Sequence, residues 1–202
     1  MRLKPITVPW QTSPQVEPLT LTAAKAYLRV TGTDQDTVIA RQIAAARAWA
    51  ESFMHRALIS QTWDMVLDGF PAAIELPLGR TLSVSHIAYT DSDGVTQTLE
   101  GASASPTGTD YREDLTGNDG GVLVPPRTGA WPAVDLSAPA PVLVRFTAGY
   151  GATAASIPQD IVSGIEFRLA DLYENRGQQD LRSGWTAIAE SFLRPHVVRR
   201  CV

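Results

Sequence analysis

The chain has 202 residues and a mass of 21.8 kDa, enough for one domain, or one with a subdomain, to bury about 70% of its unfolded surface without disulfide staples. Hydrophobic residues make up 44%, charged residues 19% and aromatic residues 7%, which excludes a disordered chain, a collagen-like repeat and a disulfide miniprotein. Seventeen basic residues against 21 acidic ones give a net charge of -4 and a pI near 5.3, which argues against a protein whose main task is to grip phosphate backbones.

The first 18 residues hold Arg2, Lys4, Pro5, Pro9 and Pro14 but no apolar run of signal-peptide length, and read as an extended arm. Periodicity predicts a short helix over about 20–30, with Thr20 or Thr22 as cap, Leu21, Ala24 and Leu28 on one face, and Gly32 beyond its end. A second helix follows over about 34–56. Thr33 and Asp36 have the spacing of a capping box, and Ile39, Ile43, Ala46, Ala50 and Phe53 form an apolar stripe, with Arg41, Arg47 and Glu51 off it on a wet face.

From Ile59 the period changes to two. Gln61, Trp63, Met65 and Leu67 share one face of a strand over about 60–67, with Thr62, Asp64 and Val66 on the other. Leu82, Val84, His86 and Ala88, with Ile87 and Tyr89, predict a second strand, turned at Asp91-Ser92-Asp93-Gly94 and answered by Val95 to Leu99. Tyr111 to Leu115, Val122 to Val124 and Val142 to Thr147 supply further short strands. The intervening turns leave no room for parallel crossovers, so the sheet is expected to be antiparallel. The last block begins with Ser156 and Gln159 as a second capping box and Pro158 in the first turn. Ile161, Ile165, Leu169 and Leu172 make its buried stripe, and Arg176 and Gly177 end it. Ser183 is placed to cap a final helix over about 185–193, stopped by Pro195. The fold class is therefore α+β, with helices near 20–30, 34–56, 157–176 and 185–193 and an inserted antiparallel β-rich subdomain.

The residue groups that could carry chemistry fall in turns and tails. Asp91-x-Asp93-Gly94 lacks the third ligand and the twelve-residue spacing of a calcium loop. His55, His86 and His196 lie far apart, and Cys201 is the only cysteine, so neither a Cys-based metal site nor an internal disulfide is expected, which fits a reducing cytosol. Ser85-His86 near Asp91 lacks a nucleophile elbow, and the glycines of 117–121 and 149–151 have neither the lysine of a P-loop nor the dinucleotide spacing. No catalytic residue, cofactor or metal is expected, and no segment has the apolar length to cross a bilayer. The run Arg194-Pro195-His196-Val197-Val198-Arg199-Arg200 mixes apolar and basic residues, which favours a protein contact over a merely solvated tail.

Taken in order, these segments resemble the head-tail connector (adaptor) proteins of long-tailed bacteriophages and gene transfer agents. The likeness runs over about 19–200. Its carriers are Leu21-x-x-Ala24-Lys25-x-x-Leu28-Arg29-Val30, Asp34 to Asp36 followed by Ala45-Ala46-Arg47-x-Trp49-x-Glu51, and Arg56-Ala57-Leu58-Ile59-x-Gln61-Thr62-Trp63. Tyr89-x-Asp91-x-Asp93-Gly94, Val144 to Gly151, Pro158 opening a helix, and Leu172-Tyr173-Glu174-Asn175-Arg176 complete them.

The resemblance implies a non-enzymatic structural protein. It would have a helical core at 19–58 and 152–202 with a C-terminal portal-binding tail and a β-rich insertion at 59–151, preceded by the arm read from the residues at 1–18. It implies a homo-oligomeric ring, commonly of twelve copies, beneath the portal in the neck of a virion or gene transfer agent particle, assembled in the bacterial cytoplasm. A downstream stopper or tail-completion protein would follow, and DNA would pass without sequence-specific binding. By position, Leu193, Arg194, Val197, Val198, Arg199 and Arg200 are candidates for portal contact. Twelve copies at -4 carry about -48 per ring, and an acidic conduit lets DNA slide. Asp64, Asp68, Asp91, Asp93, Glu113, Asp114 and Asp119 are candidates to face the lumen or the tail. Two other readings stay open: a stopper or tail-completion component, and a ligand-binding β module using Trp63, Trp131 and Tyr150 as a platform.

Overall fold

The computed structural model describes residues 16–102, 110–127, 129–175 and 184–198. These residues form two compact units, one over 60–149 and one joining 16–59 to 150–198.

The helical unit contains α1 (Leu21–Leu28), α2 (Asp36–Met54), α3 (Gln159–Glu174) and α4 (Gly184–Leu193). Thr20 caps α1, its hydroxyl accepting from the Ala23 N–H at 3.2 Å, and Arg29 ends it in the left-handed region at φ 56°. The capping box expected at Thr33 and Asp36 does not form. Gln35 precedes α2 without a side-chain cap, and Asp36 instead accepts from Lys25 Nζ at 2.6 Å. The box expected at Ser156 and Gln159 is also absent. Ser156 closes a 3-10 turn, and Pro158 is itself the residue before α3.

Ile39, Ile43, Ala46 and Ala50 of α2 pack with Ile161, Ile165 and Leu169 of α3 and Leu193 of α4 in one core. The expected stripe is shifted slightly: Met54 is fully buried where Phe53 is only partly so. Arg47, expected on the wet face, is also buried. Its Nε donates to Glu17 Oε2 at 2.8 Å and its Nη1 to Glu51 Oε2 at 2.7 Å, so a paired guanidinium occupies an edge of the core. α3 packs against α4 at Gly164. A Cβ on Gly164 would lie 2.9 Å from Leu193 Cδ2, so this position needs glycine for close approach. Arg168 of α3 donates to Asp171 at 2.6 Å and to Thr186 of α4 at 3.0 Å, and the Thr186 hydroxyl donates to Asp171 at 2.9 Å.

The β-rich unit contains β1 (Gln61–Leu67), β2 (Ile74–Glu75), β3 (Thr81–Thr90), β4 (Thr96–Leu99), β5 (Arg112–Asp114), β6 (Val122–Val124) and β7 (Val142–Ala148). They form two antiparallel sheets instead of one, ordered β1-β7-β3-β4 and β2-β6-β5. The short strand β2 is not signalled by its sequence, because two residues carry no period. Along β3 the buried residues are Thr81, Val84 and Ile87, not an alternating set, because the register against β7 shifts between Thr81 and Ser83 and again between Val84 and His86. Each bulge inserts a residue and flips the faces that follow. The hairpin after β3 forms as read, with Gly94 at φ 77° in its turn and Thr90 opposite Thr96.

Candidate functional site

The end of the helical unit is built on α4 and the 3-10 turn Arg194–His196. Leu193 is fully buried and belongs to the core, and Val198 is buried with its N–H donating to Met54 O at 2.9 Å. His196 is held from three sides. Its Nε2 lies 2.6 Å from Asp160 Oδ2, its Nδ1 lies 3.5 Å from the Tyr150 hydroxyl, and its carbonyl accepts from Arg56 Nε at 3.0 Å. The Arg56 guanidinium also sits 5.6 Å above the Tyr150 ring, within cation-π range. Burial pushes the Asp160 carboxyl up, but the hydrogen bond and charge of His196 outweigh it and leave Asp160 below the ordinary range.

Of the six tail candidates, then, Leu193 and Val198 face inward, while Arg194 is exposed and Val197 partly exposed. The Arg194 side chain is 72% accessible, with only a 3.7 Å approach to Glu190. Arg199 and Arg200 lie outside the described residues, as do most of the N-terminal arm, Arg176, Gly177, Ser183 and Cys201. Arg56 and Asp160 fix the tail without any site signal in the sequence, and Tyr150, a candidate for an aromatic platform, serves here beside Arg56 and His196. Arg56 and His196 are 140 residues apart in sequence, and no local period joins them.

The acidic candidates all lie in the β-rich unit but differ in what holds them. Asp64 of β1 receives two bonds from Arg145 of β7, both at 2.7 Å, a fork that follows from their direct pairing across the strands. Those hydrogen bonds draw its carboxyl below the ordinary range, and the pair is locally neutral. Asp91 accepts from the Val95 and Asp93 N–H groups and from Gln97, and Asp114 accepts from the Thr116 N–H and hydroxyl. These bonds lower both carboxyls, so both stay charged in mild acid. Asp68, Asp93 and Asp119 are exposed, and Glu113 is partly buried.

The aromatic platform does not come together in one unit. Trp131 stacks on Phe70 at 4.8 Å beside a cleft of about 590 Å³ lined by Asp68, Val134 and Leu136, among others, while Trp63 is partly buried on β1. Tyr150 lies in the helical unit under Arg56. Among the described residues, no group of three His, Cys, Asp or Glu side chains is placed to hold a metal, and no helix is long and apolar enough to cross a membrane.

Residues 18–107, which span α1, α2 and β1 to β4, match the family described as Phage gp6-like head-tail connector protein. The resemblance to head-tail connectors is borne out. The fold is shared with solved particle structures over the whole chain. One is the neck of an empty gene transfer agent particle computed with C6 symmetry, at TM-score 0.76 and 19% identity. A second is the virion of a native gene transfer agent particle, at 0.74 and 19%. A third is the neck of a native particle computed with C12 symmetry, at 0.69 and 20%. Each alignment covers 100% of this chain and 98% of the other. No curated protein matches the chain. The α+β class read from the sequence is the class observed, in a fold shared with these neck structures.

Proposed function

We propose that this chain is a structural head-tail connector (adaptor) that assembles as a ring beneath the portal of a phage or gene transfer agent particle and extends the DNA channel toward the tail. The observation that carries the reading is the likeness of fold, along the full chain, to proteins of gene transfer agent necks. In this reading the ring has twelve copies, the protein is assembled in the cytoplasm, and it works without a catalytic site or cofactor. Residues 59–151 act as a β-rich insertion in a helical core of 19–58 and 152–202, and 1–18 as an arm.

The tail contacts the portal through Arg194, Val197, Arg199 and Arg200, standing on a base that Leu193 and Val198 anchor. An anchored base lowers the ordering cost of docking, because the backbone up to Val198 is already fixed. The acids serve as a repulsive lining: Asp68, Asp91, Asp93, Asp114 and Asp119 bring charge, whereas Asp64 is balanced by Arg145. DNA then passes without sequence-specific contacts.

Native mass spectrometry of the chain mixed with the portal ring of the same genome tests this. The expected species carries about twelve copies per portal, matching the C12 symmetry of the neck relative. Removal of 199–202 is expected to abolish loading while leaving the helical core intact. Absence of any portal complex overturns the adaptor reading, and a six-copy species assigns the chain to a stopper or tail-completion role.

A further inference from the structure

In a closed ring every copy meets its two neighbours through different faces, so each copy must carry two unlike, complementary surfaces. The helical unit carries an aromatic face that its own core leaves open. Phe167 of α3 stands at its centre, with Phe192 at 5.6 Å, Trp185 at 5.9 Å and Tyr27 at 6.5 Å between ring centroids. Trp185 remains 45% exposed, Ile188 44% and Tyr27 38%. Clustered, exposed aromatic side chains have the composition of an interface centre more than of a solvated surface. Glu166 lies at the edge of this face, partly buried and without an ion-pair partner among the described residues. Burial raises its carboxyl above the ordinary range, and its charge in turn raises the Tyr27 hydroxyl, whose larger cause is burial.

The unlike surface is the outward side of α2. Ala40, Ala44 and Ala48 recur every four residues on the side away from the buried Ile39, Ile43 and Ala50. A row of small side chains lets bulky ones approach closely. Arg41 stands exposed on the same side, with no ion-pair partner among the described residues. It can supply the positive charge that Glu166 lacks, in a charge-assisted contact.

We infer that a second copy of this chain covers the aromatic face, laying the alanine row of its α2 over Tyr27, Trp185 and Ile188 and its Arg41 against Glu166. The contact rests on the ring reading and adds the surface by which the ring closes. An aromatic face against its own copy would close a pair instead of a ring.

The test is native mass spectrometry of charge variants loaded on the portal ring. Wild type is expected to load as full rings. Glu166→Arg and Arg41→Glu are each expected to cut the population of full rings by about tenfold, leaving partly filled portals, and the double variant is expected to restore it. Circular dichroism verifies that each variant is folded. A disulfide trap gives a second readout: Ile188→Cys mixed with Ala44→Cys, both in a Cys201→Ser background, should cross-link between copies within the ring. Full rings formed by both single variants, or assembled rings without the cross-link, overturn this interface and leave the ring reading intact. A wild-type chain that loads no ring overturns the ring reading and the interface with it.

Discussion

The two units hold their charges in opposite ways. In the helical unit, carboxylates are drawn into or beside the core. Glu51 is raised by burial despite the opposing Leu58 N–H and Arg47, Glu166 is raised by burial alone, and Asp160 is lowered. In the β-rich unit, Asp64, Asp91, Asp114 and Asp135 are all lowered, chiefly by hydrogen bonds from Arg145, Gln97, Thr116 and Ser137. A helix bundle buries a continuous stripe and takes neighbouring charges in with it. Short strands joined by many turns leave carboxylates outside, where they cap the turns. One unit thus gains from its apolar contacts at the expense of its acids, and the other uses its acids as turn fasteners.

The largest expected effect comes from breaking the apolar side of this contrast. Leu193→Ala removes a fully buried side chain that meets Gly164, and α3 and α4 cannot close the gap completely. A loss of about 3 kcal/mol is expected by chemical denaturation monitored on the helical unit, against less than about 0.5 kcal/mol for the exposed neighbour Arg194→Ala. Equal effects at the two positions would show that the last turn of α4 is not part of the core.

Much of the helical unit is legible in the chain alone. Helix positions and their buried faces were legible because an apolar stripe of period 3.6 repeats over several turns, as from Ile39 to Ala50. The hairpin at Asp91 to Gly94 was legible because a turn with φ above zero favours glycine. The capping boxes failed because an alternative partner was nearer. Lys25 engages Asp36, and the 3-10 turn takes in Ser156. The faces of β3 failed because a bulge leaves no mark in the alternation that it interrupts. For the candidate site, sequence position marked the tail, but not that Leu193 and Val198 are anchors, since their partners Gly164 and Met54 are remote in sequence.

Acid should separate the two units. A carboxyl lowered in the folded state contributes stability that is complete above its unfolded value and is lost as pH falls through the folded value. The β-rich unit is therefore expected to lose amide protection as pH drops below about 4, the ordinary aspartate value. Raised carboxyls act in the other sense: their contribution is complete below the unfolded value and is lost as pH rises through the folded one. Glu51 and Glu166 thus favour the helical unit on acidification, with Asp160 opposing them. Hydrogen exchange at successive pH values is expected to show the strands of 61–99 and 142–148 opening before α2 and α3. The reverse order would mean that the turn carboxylates do not set acid stability.

A smaller effect isolates the Asp64–Arg145 fork that joins neighbouring strands. Asp64→Ala deprives Arg145 of both its bonds, yet Arg145 is exposed enough for water to replace them in part. A loss of about 1 kcal/mol is expected. The difference between wild type and variant should shrink as pH falls below about 4, because the wild-type carboxyl is then protonated. A difference constant over that range would show that Asp64 acts through packing and not through charge.

The smallest effect lies where the helices end. Both α1 and α2 stop at a non-glycine residue in the left-handed region, Arg29 at φ 56° and His55 at φ 53°. A side chain there costs about 1–2 kcal/mol, but glycine in its place loses about 0.5–1 kcal/mol more backbone entropy on folding. Arg29→Gly and His55→Gly are therefore each expected to gain only about 0.5 kcal/mol, read as a rise in the denaturation midpoint of the helical unit with an unchanged slope. A loss of 1 kcal/mol or more in either variant would mean that its side chain makes a stabilising contact that offsets the strain, and that the end of the helix is fixed by that contact as well as by the backbone.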